Sequence, residues 1–300
     1  MIRKLHRSEI SIEKYQKCIA ESIQNSDFVG IDFLDLVTDK NWFLLVYNDY
    51  EAVMPVHFKE KWGFKIVLMP MFASYFGVFS KVDSAKINQF FVNELRKMPF
   101  LYYTFNPENQ FEEDLVQKVS YKISKDKYGI VQSKYSKSRK RNVKISDSEK
   151  SKIQIEENSN PRSWHEFLLE NGKNSHSENG KQKLLHLANS LFEKGYCYSI
   201  GVHNNKIQQS YALLFQGKST IYLSLFVNNE HLENKSIPSI VIDKILQKHC
   251  EEINFDFFGS SIPKVAEFNE RFGAEKYSYS IIHQSIRKML FNSAFRIFKF

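Results

Sequence analysis

The spacing of apolar residues in the second half of the chain predicts a regular succession of strands and helices. Tyr196, Tyr198, Ile200 and Val202 alternate with other residues, and a polar turn over 203–206 leads into a second alternating run that ends at Phe215. This pattern is typical of a β-hairpin. The elements predicted after it are strand Thr220–Val227, a helix beginning at Pro238, strand Ile253–Phe257, a helix from Pro263 to Gly273 and strand Tyr277–His283.

The first half of the chain repeats this order of elements at a nearly constant offset. The predicted elements are a hairpin of Trp42–Tyr47 and Ala52–Phe58, strand Phe64–Met69, helix Ser84–Met98, strand Phe100–Phe105, helix Pro107–Lys118 and strand Val119–Ser124. Six elements in the same order indicate a duplicated domain. We therefore expect an α/β (α+β) fold with two domains, residues 1–150 and 151–300. Each would be a mixed, mostly antiparallel sheet flanked by helices. The polar segment Lys134–Ser163 is predicted to be a helix and linker rather than core.

Composition narrows the classes of protein to which the chain can belong. Apolar residues make up 42% of the sequence, and Lys and Arg outnumber Asp and Glu by 42 to 34, which gives a net charge of +8. A basic surface favours an anionic partner such as a phosphate-rich cofactor, RNA or a lipid surface, although it is also typical of an ordinary lysine-rich surface. No feature indicates DNA.

Two further features point to the cytoplasm. The uncharged run Ile66–Phe79 is interrupted by Pro70 and Gly77 and is too short to span a membrane. Three cysteines without a CxxC pair, and histidines without metal-ligand spacing, indicate neither a disulfide framework nor a metal site. We therefore expect a cytoplasmic protein without a metal.

The segment Phe255–Tyr277 carries a family resemblance. Its helix reads Ala266-Glu267-Phe268-Asn269-Glu270-Arg271-Phe272-Gly273-Ala274, which is similar to the fourth helix of the GNAT acyltransferase fold. The preceding run Phe255-Asp256-Phe257-Phe258-Gly259-Ser260 resembles the run before this helix in Fem-type transferases. Those are tandem GNAT-like proteins that add amino acids to peptidoglycan precursors.

The first half supports the same resemblance. Stretches 48–55, 76–80 and 140–144 are similar to Fem-like bacterial acyltransferases, so the resemblance covers about residues 40–283. It implies tandem GNAT-like domains, with the active cleft in the second. The implied activity is transfer of an acyl or aminoacyl group to an amine acceptor, either a small molecule or a lipid-linked cell-envelope precursor.

Two positions depart from the family pattern and leave the donor open. Asn269 stands where many GNAT enzymes have a tyrosine that protonates the leaving thiolate, and an amide cannot act as an acid at neutral pH. The loop 228–236 has no glycine, although a pyrophosphate loop needs glycine for close backbone approach. The expected donor is therefore acyl-CoA or aminoacyl-tRNA, and aminoacyl-tRNA fits the glycine-free loop and the basic charge better. In that case tRNA would be a partner.

Candidate catalytic and substrate residues lie on and near these strands. Asp256 is the only acid in its apolar strand and could deprotonate an attacking amine. Ser260 could face the reacting groups or simply cap the following helix. The candidate substrate residues are Tyr222 and Ser224 on strand Thr220–Val227 and Asn174 in the loop after Gly172.

Candidate cofactor-binding residues are basic or lie at the start of a helix. Arg139, Arg141 and Asn142 belong to a basic run, which could hold phosphates by charge-assisted hydrogen bonds or could be a solvated basic helix. Lys235 and Ser236 precede the helix at Pro238, where they could bind an anion or only cap the helix.

Three alternatives stay open at the level of the sequence. The basic, aromatic tail Ile286–Phe300 could rest on the inner membrane surface or pack on the first domain. The enzyme could be an acyl-CoA-dependent N-acetyltransferase of a sugar or small amine. It could instead be a catalytically silent GNAT-like binding protein.

Overall fold

The computed structural model describes residues 1–61, 63–144, 152–172, 178–232, 234–259 and 262–289. The chain divides into two compact units. Unit 1 comprises Met1–Lys118 and the chain from Ser278 onward, and unit 2 comprises Val119–Tyr277. The boundaries fall within two strands, β7 (Val116–Ile123) and β13 (Glu275–His283).

Unit 1 is built on a mostly antiparallel sheet. Its strands are β1 (Ile2–His6), β2 (Trp42–Tyr47), β3 (Ala52–Lys61), β4 (Phe64–Val67) and β5 (Phe79–Ser80). A further strand, β6 (Tyr102–Thr104), pairs instead with residues 281–283 of β13. β1 to β4 pair in order, and β5 pairs with β3. The helices are α1 (Ile12–Glu21), α2 (Ile31–Thr38) and α3 (Ala85–Arg96). α3 begins where the Ser84 side chain accepts a hydrogen bond from the Ile87 N–H.

The helix predicted over Pro107–Lys118 is wrong. Residues 107–115 form turns and irregular backbone, and β7 begins at Val116. Side-chain hydrogen bonds explain why no helix forms there. Asn106 Oδ1 accepts from the Glu108 N–H, and Asp83 Oδ2 accepts from the Gln110 N–H. The Asn106 bond is of the kind that caps a helix, but Asp83 takes the Gln110 N–H, which a helix would pair with the Asn106 carbonyl.

Unit 2 is a mixed sheet with helices. After β7 come α4 (Tyr128–Ser133), α5 (Lys137–Asn142), β8 (Ile153–Glu157), a 3-10 turn (Pro161–Trp164), α6 (His165–Asn171), α7 (Glu178–Glu193), β9 (Cys197–Asn204), β10 (Ile207–Gln216), β11 (Thr220–Asn228), α8 (Ile237–His249), β12 (Asn254–Asp256) and α9 (Pro263–Glu270). The strand order is β7-β12-β11-β10-β9-β8. Only β11 and β12 pair in parallel among these neighbours.

The core of unit 2 lies between this sheet and α8. Along α8, Ile240, Val241, Ile242 and Ile245 are buried and join the apolar residues of β7 to β12. The predicted hairpin is confirmed as β9 and β10, joined at Asn205 and Lys206. Both turn residues have positive φ, as a tight hairpin turn requires. The expected fold class, mixed and mostly antiparallel sheets flanked by helices, is confirmed.

The region Lys134–Ser163 is more structured than the expected linker. Within it, β8 pairs with β9, and the side chains of Tyr135 and Arg139 are buried. The compact units also divide the chain at 118/119 and 277/278 rather than at 150/151, so α5 lies in unit 2. The assignment of tandem domains to 1–150 and 151–300 stays a prediction.

Gly201 on β9 provides a test of the packing in unit 2. A Cβ atom at this position would lie 2.3 Å from Cζ2 of the buried Trp164 ring and 2.9 Å from Ser159 Oγ. Because the ring is enclosed and cannot give way, we expect Gly201→Ala to lower the free energy of unfolding by about 1–3 kcal/mol. Denaturant unfolding of the full chain measures the change.

Gly129 on α4 is the matched control, since a Cβ atom there meets nothing within 4 Å. Gly129→Ala should leave stability unchanged or raise it by about 0.5–1 kcal/mol, because alanine favours the helix. Equal effects of the two substitutions would contradict the tight packing of Gly201 on Trp164.

Candidate functional site

Two neighbouring parallel strands of unit 2 part from each other. β11 and β12 pair only from Thr220–Asn254 to Tyr222–Asp256, after which β12 ends and β11 continues to Asn228. In the described part of the chain, no other strand takes the place of β12 beside β11 beyond Tyr222. The edge of β11 therefore offers backbone groups to a ligand at this opening.

A β-bulge lies at the same opening. Leu213 of β10 pairs with Leu225 of β11, while the next residue, Leu214, pairs with Leu223. Ser224 is therefore the extra residue of the bulge, and its Oγ lies 3.4 Å from the Tyr222 carbonyl oxygen. Bulges re-aim backbone groups and are over-represented next to active sites. The predicted substrate residues Tyr222 and Ser224 thus flank the point where the strands part.

Asp256, the predicted base, is buried at the end of β12, with 4% of its surface exposed. Its Oδ2 accepts a hydrogen bond from the Tyr277 hydroxyl at 2.6 Å. Its Oδ1 accepts from the Phe258 N–H at 2.7 Å and from the Ser120 hydroxyl at 3.1 Å. Burial raises the pKa of Asp256, although all three donors favour its charged form.

These contacts turn the chain away from β11. Ser120 Oγ also accepts from the Gly259 N–H at 2.8 Å. Phe258 and Gly259 have φ of 59° and 107°, a left-handed backbone that a side-chain-to-backbone turn stabilises. Phe257 stays bonded to β7 through its N–H and the Tyr121 carbonyl. The hydrogen bonds of Asp256 and Ser120 therefore fix the turn that takes the chain away from β11.

A pocket of about 370 Å³ follows β11 past the bulge. Six consecutive residues, Leu225–Glu230, line one side, and Asn171 and Gly172 of the α6 end, with Lys181 and Leu184 of α7, line the other. Lys181 Nζ donates to the Leu169 carbonyl at 2.8 Å, and Asn171 Oδ1 accepts from the Glu230 N–H. The pocket combines apolar walls with a few fixed polar groups, as small-molecule sites do.

The amino end of α8 has little capacity to bind phosphate through its backbone. The Ser236 N–H donates to Asn234 Oδ1 and the Ile237 N–H to the Asn234 carbonyl. Pro238 has no N–H, and the Ser239 and Ile240 N–H groups donate to the Ser236 carbonyl. Because these amides are already bonded, an anion at this end would depend on the exposed Lys235 side chain.

Arg139 lies in the interior rather than on a phosphate-binding surface. Its guanidinium lies 4.2 Å from the Phe268 ring and 4.1 Å from the Phe272 ring, and it donates to the Phe268 carbonyl and to Ser239 Oγ. Burial lowers its pKa to about 10, with a smaller contribution from Arg271. Arg139 thus links α8 to α9 through its hydrogen bonds. Its neighbour Arg141 is exposed, and Asn142 is half-buried.

The other predicted site residues divide into those that the structure describes and those that it does not. Asn269 is buried on α9, and its Nδ2 has no hydrogen-bond partner among the residues that the structure describes. Asn174 and Ser260 lie outside the described residues, as does the tail beyond Met289. Sequence reasoning missed Ser120 and Tyr277, because their contacts with Asp256 join residues that are distant in the chain. The alternation within β7 was the only signal for Ser120.

Comparison with solved structures identifies the fold. A conserved protein of unknown function from Bacteroides thetaiotaomicron VPI-5482 superposes with a TM-score of 0.57 at 10% identity, covering 94% of this chain and all of that one. FemX gives a TM-score of 0.56 at 10% identity, covering 92% and 96%. A tandem GNAT protein from the clavulanic acid biosynthesis pathway, solved without AcCoA, gives 0.54 at 8% identity, covering 94% and 97%.

The chain therefore has a GNAT-like fold of the Fem type, and the fold expected from the resemblance is confirmed. No protein-family model matches the sequence, and no curated protein matches it. At these identities the likeness establishes the fold and not the reaction. Among the described helices, none has the length and apolar character needed to cross a membrane.

Ser120 tests the link between Asp256 and the turn that follows β12. Ser120→Ala removes a donor to Asp256 and leaves the Gly259 N–H without its acceptor. We expect the free energy of unfolding to fall by about 1–3 kcal/mol, the cost of an unsatisfied buried group. Chemical denaturation gives the value.

Ser133 provides the control, because its hydroxyl is exposed and bonds only within its own helical turn. Ser133→Ala should change stability by no more than about 0.5 kcal/mol. A stability loss for Ser120→Ala no larger than that of the control would show that the turn does not need this bridge.

Proposed function

We propose that unit 2 transfers an acyl group from a thioester donor to an amine acceptor at the opening between β11 and β12. The observation that carries the proposal is the coincidence of three features. β11 and β12 part after Tyr222, Ser224 forms a bulge there, and a pocket continues along β11 from Leu225. The GNAT-like fold supports acyl transfer as the class of reaction.

The unpaired edge of β11 supports binding of the donor carbonyl. Main-chain N–H groups that are fixed in a sheet can stabilise the negative charge that develops on a carbonyl oxygen during attack. The bulge at Ser224 changes the direction of these groups locally. Donor and acceptor would then meet with their reacting atoms aligned, which supplies much of the catalytic effect in a direct transfer.

The pocket beyond the bulge supports binding of the acceptor. An amine entering along Leu225–Glu230 would reach the donor carbonyl at Ser224 from the acceptor side. Its nitrogen would attack the carbonyl carbon, the C–S bond would break, and the thiolate would leave. The amine proton would pass to water, because Asp256 is enclosed and both its oxygens already accept hydrogen bonds.

Acyl-CoA is the donor that the comparisons favour. The tandem GNAT protein from the clavulanic acid biosynthesis pathway was solved without AcCoA, and acyl-CoA is the donor that we carry over from it to this chain. Aminoacyl-tRNA has no comparable support, although the basic net charge of +8 suits either donor. We further propose that the acceptor can be lipid-linked, in which case the protein would contact a membrane surface.

A second candidate is a catalytically silent GNAT-like binding protein. Two observations favour it. The first-turn amides of α8 are bonded internally, so they are not free to receive a pyrophosphate group. Asn269 is buried in α9 and cannot donate a proton to a leaving thiolate.

Radiolabelled acetyl-CoA, offered to the full chain with a panel of amino sugars, small diamines and amino acids, tests the proposal. We expect label in at least one amine, with one free thiol released for each amide formed. Labelled aminoacyl-tRNA is the parallel donor. Transfer from charged tRNA alone would overturn the thioester assignment, and transfer from neither donor would favour the silent protein.

Filling the pocket tests where the acceptor binds. Leu184 of α7 is half-buried in its wall. We expect Leu184→Trp to raise the KM for the amine about tenfold or more and to leave the KM for the donor nearly unchanged, because the larger ring occupies only the acceptor space. Steady-state kinetics with each substrate varied in turn measures both constants.

Leu184→Met is the matched control, since it nearly conserves volume and should keep the KM for the amine within about twofold of the original. An increase in the donor KM alone would place the donor rather than the acceptor in this pocket.

A further inference from the structure

A second cleft in unit 2 lies away from the opening between β11 and β12. It has a volume of about 700 Å³ and is bounded by α4, by the end of α5 and by the middle of α8. Its lining is polar and basic: Tyr128, Gly129, Gln132, Ser133, Lys140, Val143, Lys144, Asp243, Lys244 and Gln247. Its volume is in the range of small-molecule sites. None of the residues that we assign to the opening between β11 and β12 lines it.

Three lysines give this cleft its charge. Lys140 lies on α5, Lys144 lies two residues beyond its end, and Lys244 lies on α8. Lys140 Nζ donates to the Ser133 carbonyl and Lys244 Nζ to Gln247 Oε1. In the described part of the chain, none of the three forms an ion pair with a carboxylate. Their charges are therefore available to an anionic ligand.

Among the described residues that line the cleft, Asp243 alone carries a carboxyl group, and two tyrosines hold it. Its Oδ1 accepts from the Tyr128 hydroxyl at 2.9 Å and from the Tyr135 hydroxyl at 3.0 Å. Burial raises the pKa of Asp243, and the hydroxyl donors and Lys244 oppose that rise. Its Oδ2 has no hydrogen-bond partner among the described residues, so this oxygen can accept from a ligand.

The three lysines and the carboxyl group of Asp243 together indicate which class of ligand fits the cleft. Lysine ammonium groups bind phosphate as point charges, and a fixed carboxylate accepts hydrogen bonds from sugar hydroxyls in nucleotide sites. A ligand with phosphates alone would donate no hydrogen bond to Asp243 Oδ2. A neutral sugar would leave the three lysine charges without an opposite charge. Gln132 and Gln247 add amide groups at the rim.

We propose that this cleft binds a nucleoside diphosphate, with Lys140, Lys144 and Lys244 on the phosphates and Asp243 on the ribose hydroxyls. The diphosphate could belong to a free nucleotide or to the nucleotide part of a larger donor such as coenzyme A. Only the assignment to coenzyme A rests on the proposed acyl transfer. Binding of a nucleoside diphosphate does not rest on it, because that binding is measured without any acceptor.

Calorimetric titration of the full chain with ADP at low salt tests the proposal. We expect saturable 1:1 binding, and Lys144→Gln and Lys244→Gln should each weaken it about tenfold, the effect of one lost hydrogen bond to a charged group. Lys137→Gln is the matched control, because Lys137 is an exposed lysine on α5 that does not line the cleft. It should leave the affinity within about twofold.

Two further titrations test which part of the ligand contacts Asp243 and whether the ligand is a free nucleotide or coenzyme A. Asp243→Asn should weaken ADP relative to inorganic pyrophosphate, since only ADP carries ribose and the lost negative charge favours the phosphates of both. Tighter binding of coenzyme A than of ADP in competition would assign the cleft to the donor, and ADP binding that coenzyme A does not displace would assign it to a free nucleotide. Absence of ADP binding, or equal weakening by Lys137→Gln and Lys144→Gln, would overturn the proposal.

Discussion

The hydrogen bonds of Asp256 are the constraint on which the candidate site depends. Its two carboxylate oxygens accept from a strand hydroxyl, a backbone N–H and a tyrosine hydroxyl, and all three donors lie in unit 2. Since the carboxyl group is buried, each missing donor would be costly. The turn that these bonds fix ends β12 and separates it from β11. The opening, the exposed strand edge and the bulge at Ser224 all follow from this separation.

A second constraint is that nearby polar groups are already bonded within the protein. The first turn of α8 donates its N–H groups to Asn234 and Ser236, and Arg139 joins α8 to α9 between two phenylalanine rings. Arrangements of this kind stabilise the helices, but they leave few free donors for a phosphate at that end. Lys140, Lys144 and Lys244 lie instead around Asp243, in a different cleft. The candidate phosphate site and the opening between β11 and β12 are therefore at different places in this unit.

The order of elements could be predicted well because each element is determined by its local pattern. The β9–β10 hairpin followed from alternation and from a turn at Asn205-Lys206 that tolerates positive φ. The helix predicted at 107–118 is absent because Asp83, a residue distant in sequence, binds the Gln110 N–H that the helix would use. β8 was missed for a similar reason, since a short polar strand is stabilised by its neighbour β9 rather than by its own apolar content.

The site residues also show a difference between what the local sequence specifies and what the folded structure decides. By itself, the sequence determined the GNAT-like order of strands and helices, the position of Asp256 in an apolar strand and the presence of a basic run near Arg139. Tertiary structure alone decided what those side chains do, because burial and long-range hydrogen bonds set their chemistry. It enclosed Asp256 with Ser120 and Tyr277, buried Arg139 between two rings, and brought Lys140 and Lys144 to Lys244 across about a hundred residues of chain. A local pattern specifies the element on which a residue lies, whereas its partners come from elements that meet only when the chain folds.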